Sequence, residues 1–176
     1  MKHFMLIALA AVWCSAFAVA QDDEPQPVVL TETVQARFGT VWESVKSSIE
    51  EFGCRASSPP KVSDPDEGGG FYKGNYFSDF CILAEGEDTT KATIEKYSQV
   101  PRIRGGIWVT CRVQYKINVR EEEGGITKII LRAEMSGFEE FITAANHFWV
   151  SNGILERQMM ETILAKVKKK QAESGN

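Results

Sequence analysis

His147 is the only histidine beyond the first three residues of the chain, so a Ser-His-Asp or Cys-His mechanism would have to be built on it. It lies in the stretch AANHFWVSNG, with Phe148 directly after it and Ser151 four residues on. In that setting it reads as a packed or half-exposed side chain, and Ser151 reads as a helix cap. Glu139 and Glu140 are adjacent, so they diverge in any regular element and make a poor acid/base pair. A metal centre with several histidines is impossible, and no C-x-x-C occurs. The stretch DPDEGG sets Asp64 and Asp66 as first and third ligands of a calcium loop. Gly68 then stands where the next oxygen ligand belongs, and Asn75 where the bidentate glutamate belongs. DEGGGF lacks the lysine and the following helix of a phosphate-binding loop. These patterns point away from an enzyme, a metal centre and a bound cofactor.

The remaining chemistry is charge. RGGIWVTCRVQYKINVREEEGGITKIILRAEM, from Arg104 to Met135, alternates apolar and polar residues on both sides of a glycine turn. Ile107, Val109, Cys111, Val113, Tyr115, Ile117 and Val119 share one parity, and Ile129, Leu131, Ala133 and Met135 continue it on the return strand. The opposite parity carries Trp108, Arg112, Lys116, Arg120, Lys128 and Arg132. A three-residue loop, Glu123-Gly124-Gly125, pairs Glu122 with Ile126, with Gly125 in the left-handed position. Val119 then faces Ile129, Ile117 faces Leu131 and Tyr115 faces Ala133. On the polar side Arg120 faces Lys128, Lys116 faces Arg132 and Gln114 faces Glu134. Opposed like charges cost up to about 1 kcal/mol a pair. Carboxylates such as Glu95, Glu121 or Glu122 can offset that, or the strip can face an external anion. The chain is acidic, with a net charge of −4 at pH 7, which argues against bulk nucleic-acid binding.

Other segments must position this hairpin. Val34, Phe38, Val41, Val45, Ile49 and Phe52 form one helical stripe, which Trp42 borders. Thr31 or Thr33 is placed to cap that helix, and Gly53 to end it. Prolines and glycines from Arg55 to Gly70 predict an irregular connection. FYKGNYFSDFCIL reads as strand, EGEDTTK as a polar loop and ATIEKYSQV as a further strand. SNGILERQMMETILAKVKKK reads as a second helix, with Leu155, Met159, Ile163 and Val167 inward and lysines at the dipole-favoured end. The expected fold is α+β: a curved antiparallel sheet covered on one face by two helices.

The first residues set the compartment. Lys2 and His3 precede the apolar FMLIALAAVW, and Ala18–Ala20 offers a small-x-small cleavage site. This is the pattern of a secretory signal peptide cut after Ala20. Val12 and Trp13 before Cys14 do not suit a lipobox. The expected boundaries are a signal peptide at 1–20, a disordered acidic leader at 21–30, one domain at 31–170 and a disordered tail at 171–176. No transmembrane span is expected after cleavage. Cys54, Cys81 and Cys111 remain, allowing one internal disulfide by any of three pairings. The apolar parity of Cys111 favours it as the buried free thiol, which makes Cys54 with Cys81 the leading pair.

From Thr33 to Val167 the chain resembles a family of bacterial envelope proteins, the helix-grip domains similar to the BamC outer-membrane assembly lipoprotein. The likeness rests on FGTVWESVKSSIEEFGCRASSPPKVSDPDEGGGFYKGNYF, on the basic-led hairpin, and on SNGILERQMMETI as a closing helix. The chain departs from that type in lacking a lipobox cysteine. The resemblance implies the helix-grip fold. It also implies a possible apolar ligand or lipid between the C-terminal helix and the sheet, where Tyr115, Phe71, Tyr72 and Phe77 could line a pocket. The leading expectation is an exported, periplasmic or secreted, non-catalytic envelope protein. It would dock a protein or an anionic surface, such as phospholipid headgroups or an acidic glycan, through the basic strip.

Overall fold

The computed structural model describes residues 26–174, apart from positions 69 and 100. The expected signal peptide and residues 21–25 of the expected leader lie outside the described residues. In chain order the elements are β1 (Val29–Val34), α1 (Phe38–Glu51), β2 (Lys61–Ser63), α2 (Pro65–Gly68), β3 (Lys73–Phe77), β4 (Cys81–Glu85), α3 (Glu87–Tyr97), β5 (Thr110–Glu122), a 3-10 turn (Glu123–Gly125), β6 (Ile126–Glu139), β7 (Ala145–Val150) and α4 (Ile154–Ser174). The fold is α+β, a curved antiparallel sheet packed against helices. The long strands β5 and β6 form its centre. β3 and β4 share the outer edge of β5, β1 and β7 share that of β6, and β2 lies beyond β3.

The central hairpin has the register its alternation predicts. Glu122 pairs with Ile126, Arg120 with Lys128, Val119 with Ile129, Ile117 with Leu131, Lys116 with Arg132, Tyr115 with Ala133 and Gln114 with Glu134. Both turn glycines are left-handed, with φ of 77° at Gly124 and 71° at Gly125. The apolar parity of both strands is buried, from Cys111 to Val119 and from Ile129 to Met135. Val41, Val45 and Ile49 of α1 and Leu155, Met159, Ile163 and Val167 of α4 are buried in the same core. Lys166 ties the two helices, donating to the Ser47 carbonyl at 2.7 Å and pairing with Glu51 at 2.6 Å. The ammonium reaches the C-terminal turn of α1, where the helix dipole favours a cation. Trp42 packs flat against β3, because Gly74 presents no side chain there. A Cβ at Gly74 would lie 2.6 Å from the indole.

Several segments differ from expectation. Thr31 and Thr33 cap nothing: they lie in β1, opposite Ile130 and Lys128. Val34 ends that strand, and α1 begins only at Phe38. Val29 and Leu30 therefore belong to the domain and not to a disordered leader. The expected strand ATIEKYSQV and the loop before it are mostly α3. Thr90 and Ile94 face inward, and Ser98, directly after the helix, is buried beside them, so only one aliphatic residue marks the period. α3 and the one-turn α2 thus join the two expected helices. The proline- and glycine-rich connection still holds the short β2, paired with β3, and the one-turn α2. AANHFWVSNG contains β7, paired with β6. α4 continues through residues 171–174, which the expected disordered tail included.

Both central strands have a break along their outer edge, at the level of the Tyr115–Ala133 pair. β3 ends at Phe77, opposite Lys116, and β4 begins at Cys81, opposite Val113. Ser78 fills that gap: its N–H donates to the Tyr115 carbonyl at 3.0 Å, and its hydroxyl accepts the Tyr115 N–H at 2.9 Å. On the other side β1 reaches Arg132 and β7 reaches Glu134. The Ala133 N–H between them donates to the Glu156 carboxylate at 3.2 Å. The Ser151 hydroxyl donates to the same carboxylate and accepts the Gly153 N–H at 3.1 Å. Ser151 is therefore not the expected helix cap: it braces the turn before α4, whose first residue Ile154 donates instead to Asn152 Oδ1, and it serves a buried acid. In both gaps a side chain replaces a missing ladder partner, as buried backbone groups require.

Candidate docking face

The helices leave the polar parity of the hairpin uncovered. Pairing across the sheet sorts this face into rows of residues. Lys73, Arg120, Lys128 and Thr33 form one row, and Phe77, Lys116, Arg132 and Val29 a second. Ile82, Arg112, Ser136 and Phe148 form a third. Five of the expected site residues, Arg112, Lys116, Arg120, Lys128 and Arg132, therefore do share one face. Arg112, Arg120 and Arg132 are exposed, and Lys116 and Lys128 are half-buried.

One carboxylate addresses this strip. Glu134 pairs with Lys116 at 2.6 Å and lies 4.0 Å from Arg132. It relieves the Lys116–Arg132 opposition. Among the described residues Arg112, Arg120 and Lys128 have no carboxylate partner, so the Arg120–Lys128 opposition stands. Apolar side chains rim the charges: Val29, Phe77, Ile82 and Phe148 are all exposed. Phe80 and Phe148 meet with ring centroids 5.9 Å apart, although both central strands separate β4 from β7. The small Ser136 opposite Phe148 leaves room beneath the rings, and it is buried although it lies on the outer parity.

Trp108 does not belong to this face. It is buried and packs edge-on against Trp149 and His147, with centroids 5.3 and 5.4 Å away. Continued register would place Trp108 opposite Glu140, but it bridges Glu139. That one-residue shift carries its side chain to the inner face. Gly137 is needed below it, since a Cβ there would meet the Trp149 ring at 2.7 Å and the Trp108 ring at 3.2 Å.

Beside this cluster lies an arrangement of side chains that the sequence did not disclose. The buried Glu139 carboxylate accepts N–H groups from Ile107 (3.1 Å), Phe141 (2.8 Å), Ile142 (3.0 Å) and Thr143 (2.6 Å), and the Thr143 hydroxyl at 2.8 Å. Burial works against the charge. The Thr143, Ile142 and Phe141 N–H groups and the Thr143 hydroxyl outweigh it and hold the carboxyl far below the usual carboxylate range. His147 Nε2 lies 2.7 Å from the Thr143 hydroxyl. That hydroxyl already donates to Glu139, so its proton is not directed at the imidazole as a nucleophile's would be. The chain Glu139–Thr143–His147 organises a turn.

Cys54 and Cys81 form a disulfide, with Cα atoms 5.1 Å apart, and Cys111 is a free, buried thiol. Of the four aromatic residues expected to line a pocket under α4, Tyr115 is fully buried in packed core. Tyr72 and Phe77 are exposed, with Phe77 on the outer face. Leu155, Met159 and Ile163 are each at most 1% exposed against that core, so the helix–sheet interior is filled at these positions. Among the described residues no helix is long and apolar enough to cross a membrane. No family model matches the chain, and no curated protein matches it.

Proposed function

We propose that this chain is an exported, non-catalytic cell-envelope protein that docks an acidic partner protein through the outer face of its sheet. One observation carries the reading: five basic side chains share an uncovered face of a net-acidic protein, and a single carboxylate, Glu134, addresses only two of them. Cross-strand repulsion between Arg120 and Lys128 is kept in the free protein and would be relieved by an acidic surface. The spread of Val29, Phe77, Ile82 and Phe148 around the charges favours a protein partner over a lipid headgroup or a glycan. Large apolar and arginine side chains mixed on a broad surface are the composition of protein interfaces.

The leader sequence supports export, and a disulfide suits an oxidising compartment. The likeness to helix-grip envelope domains supports a non-catalytic role. The test is capture from envelope extract by wild type and by Arg120→Glu with Lys128→Glu, at low and high salt. Capture should be lost in the double variant. It should also fade in wild type as the screening length falls from about 10 Å at 0.1 M salt to about 3 Å at 1 M. Capture that is equal for both proteins, or indifferent to salt, would overturn the proposal. Loss of binding to anionic vesicles with unchanged protein capture would assign the face to lipid.

A further inference from the structure

Phe141 and Ile142 form the apex of the turn between β6 and β7, and they are 71% and 58% exposed. Both are held in place, because the Glu139 carboxylate accepts the backbone N–H groups of Phe141, Ile142 and Thr143 in succession. A fixed backbone thus presents two large apolar side chains to water. The loop Pro101–Gly106 runs alongside: a Cβ at Gly105 would sit 3.7 Å from Ile142 Cδ1. This second loop carries the exposed Arg102 and Arg104. With Lys91 of α3 they line an open cleft of about 500 Å³ that reaches Trp108. Lys91 has a loose contact with Glu95 at 3.9 Å, and the exposed carboxylate on the apical turn is Glu140.

The geometry points to a membrane-contact site at this end of the molecule, with Phe141 and Ile142 entering an anionic phospholipid leaflet and Arg102, Arg104 and Lys91 taking its phosphates. Two side chains at an apex bury too little area for a stable protein interface. They suit the boundary between headgroups and acyl chains, where apolar insertion and basic attraction act together. A guanidinium presents paired donors that fit phosphate oxygens. The site shares no residue with the docking face and does not depend on that reading.

Co-sedimentation with vesicles of mixed phosphatidylcholine and phosphatidylglycerol, and with phosphatidylcholine alone, tests it. Wild type should be retained by the mixed vesicles and not by the neutral ones. Phe141→Asp with Ile142→Asp should lower retention at least about tenfold, as lost insertion and added negative charge combine. Arg102→Glu with Arg104→Glu should do the same, whereas Arg120→Glu with Lys128→Glu should retain wild-type binding. Thermal unfolding of each variant confirms the fold, since all of these side chains lie outside the core. The inference fails if wild type does not bind the mixed vesicles. It also fails if the apical double variant binds as wild type does, or if only the sheet-face variant loses binding.

Discussion

Glu156 and Ala133 are joined by a hydrogen bond that substitutes for a strand. The acid comes from the first turn of α4, and the amide belongs to a β6 position that neither β1 nor β7 reaches. Glu156→Leu should therefore leave the Ala133 N–H and the Ser151 hydroxyl without an acceptor. Unsatisfied buried donors cost about 1–3 kcal/mol each, so the urea midpoint should fall sharply. Glu156→Gln keeps an acceptor and should recover part of the loss.

Trp42 and Gly74 should behave as a unit. Gly74→Ala forces a methyl group into the indole, and overpacking of this kind costs about 1–3 kcal/mol. Trp42→Ala should cost about 3–5 kcal/mol through the cavity it leaves. In the Trp42→Ala background, Gly74→Ala should become nearly neutral. A double-mutant cycle from chemical denaturation reads this coupling, and additive losses would contradict the packing. Leu155→Ala, fully buried under α4, should cost about 2–5 kcal/mol without such coupling.

Acid should unlock the β6–β7 turn. The folded Glu139 carboxyl titrates far below its ordinary value of 4.5. Its contribution is therefore complete above that pH and is lost as pH falls toward the folded value. Glu139→Gln should lower the melting temperature near neutrality, and the difference from wild type should narrow steadily below about pH 4.5. A difference that is constant from neutral to acid pH would mean that the carboxylate charge does not hold the turn.

The thiol inventory should depend on folding. Burial pushes the Cys111 thiol up to about 12, so native protein should resist alkylation at neutral pH. Among Cys54, Cys81 and Cys111, unfolded protein should take one label without reductant and three with it. Reducing Cys54–Cys81, which closes 27 residues of sequence, should lower stability by about 3 kcal/mol.

The hairpin register was legible because opposed residues must share a face, and the glycine pair left one way to turn. α1 and α4 were legible from their aliphatic stripes. α3 was not, because its buried residues are Ile94 and the hydroxyl-bearing Thr90, with Ser98 just past its end, and hydroxyls do not register as a hydrophobic period. β7 escaped notice because Trp149 and Phe148 point to opposite faces and erase the alternation. The basic strip could be counted from parity, but Trp108 could not be placed, since a one-residue bulge leaves no mark in composition. The apical turn was hidden for another reason: Glu139 binds backbone amides, and these look the same whatever residues carry them.

The disulfide also decides how this protein would respond to a protease. Ser57 to Pro60 are exposed and belong to no helix or strand, and loops of that kind are where cleavage concentrates. The cut would fall inside the ring closed by Cys54 and Cys81. The two fragments would stay covalently joined, with β3 still paired to β5. A clipped molecule would keep its mass, apart from one added water, and would migrate as one species until a reductant separated it. Proteolytic damage in this segment would thus stay hidden in any assay run without thiol.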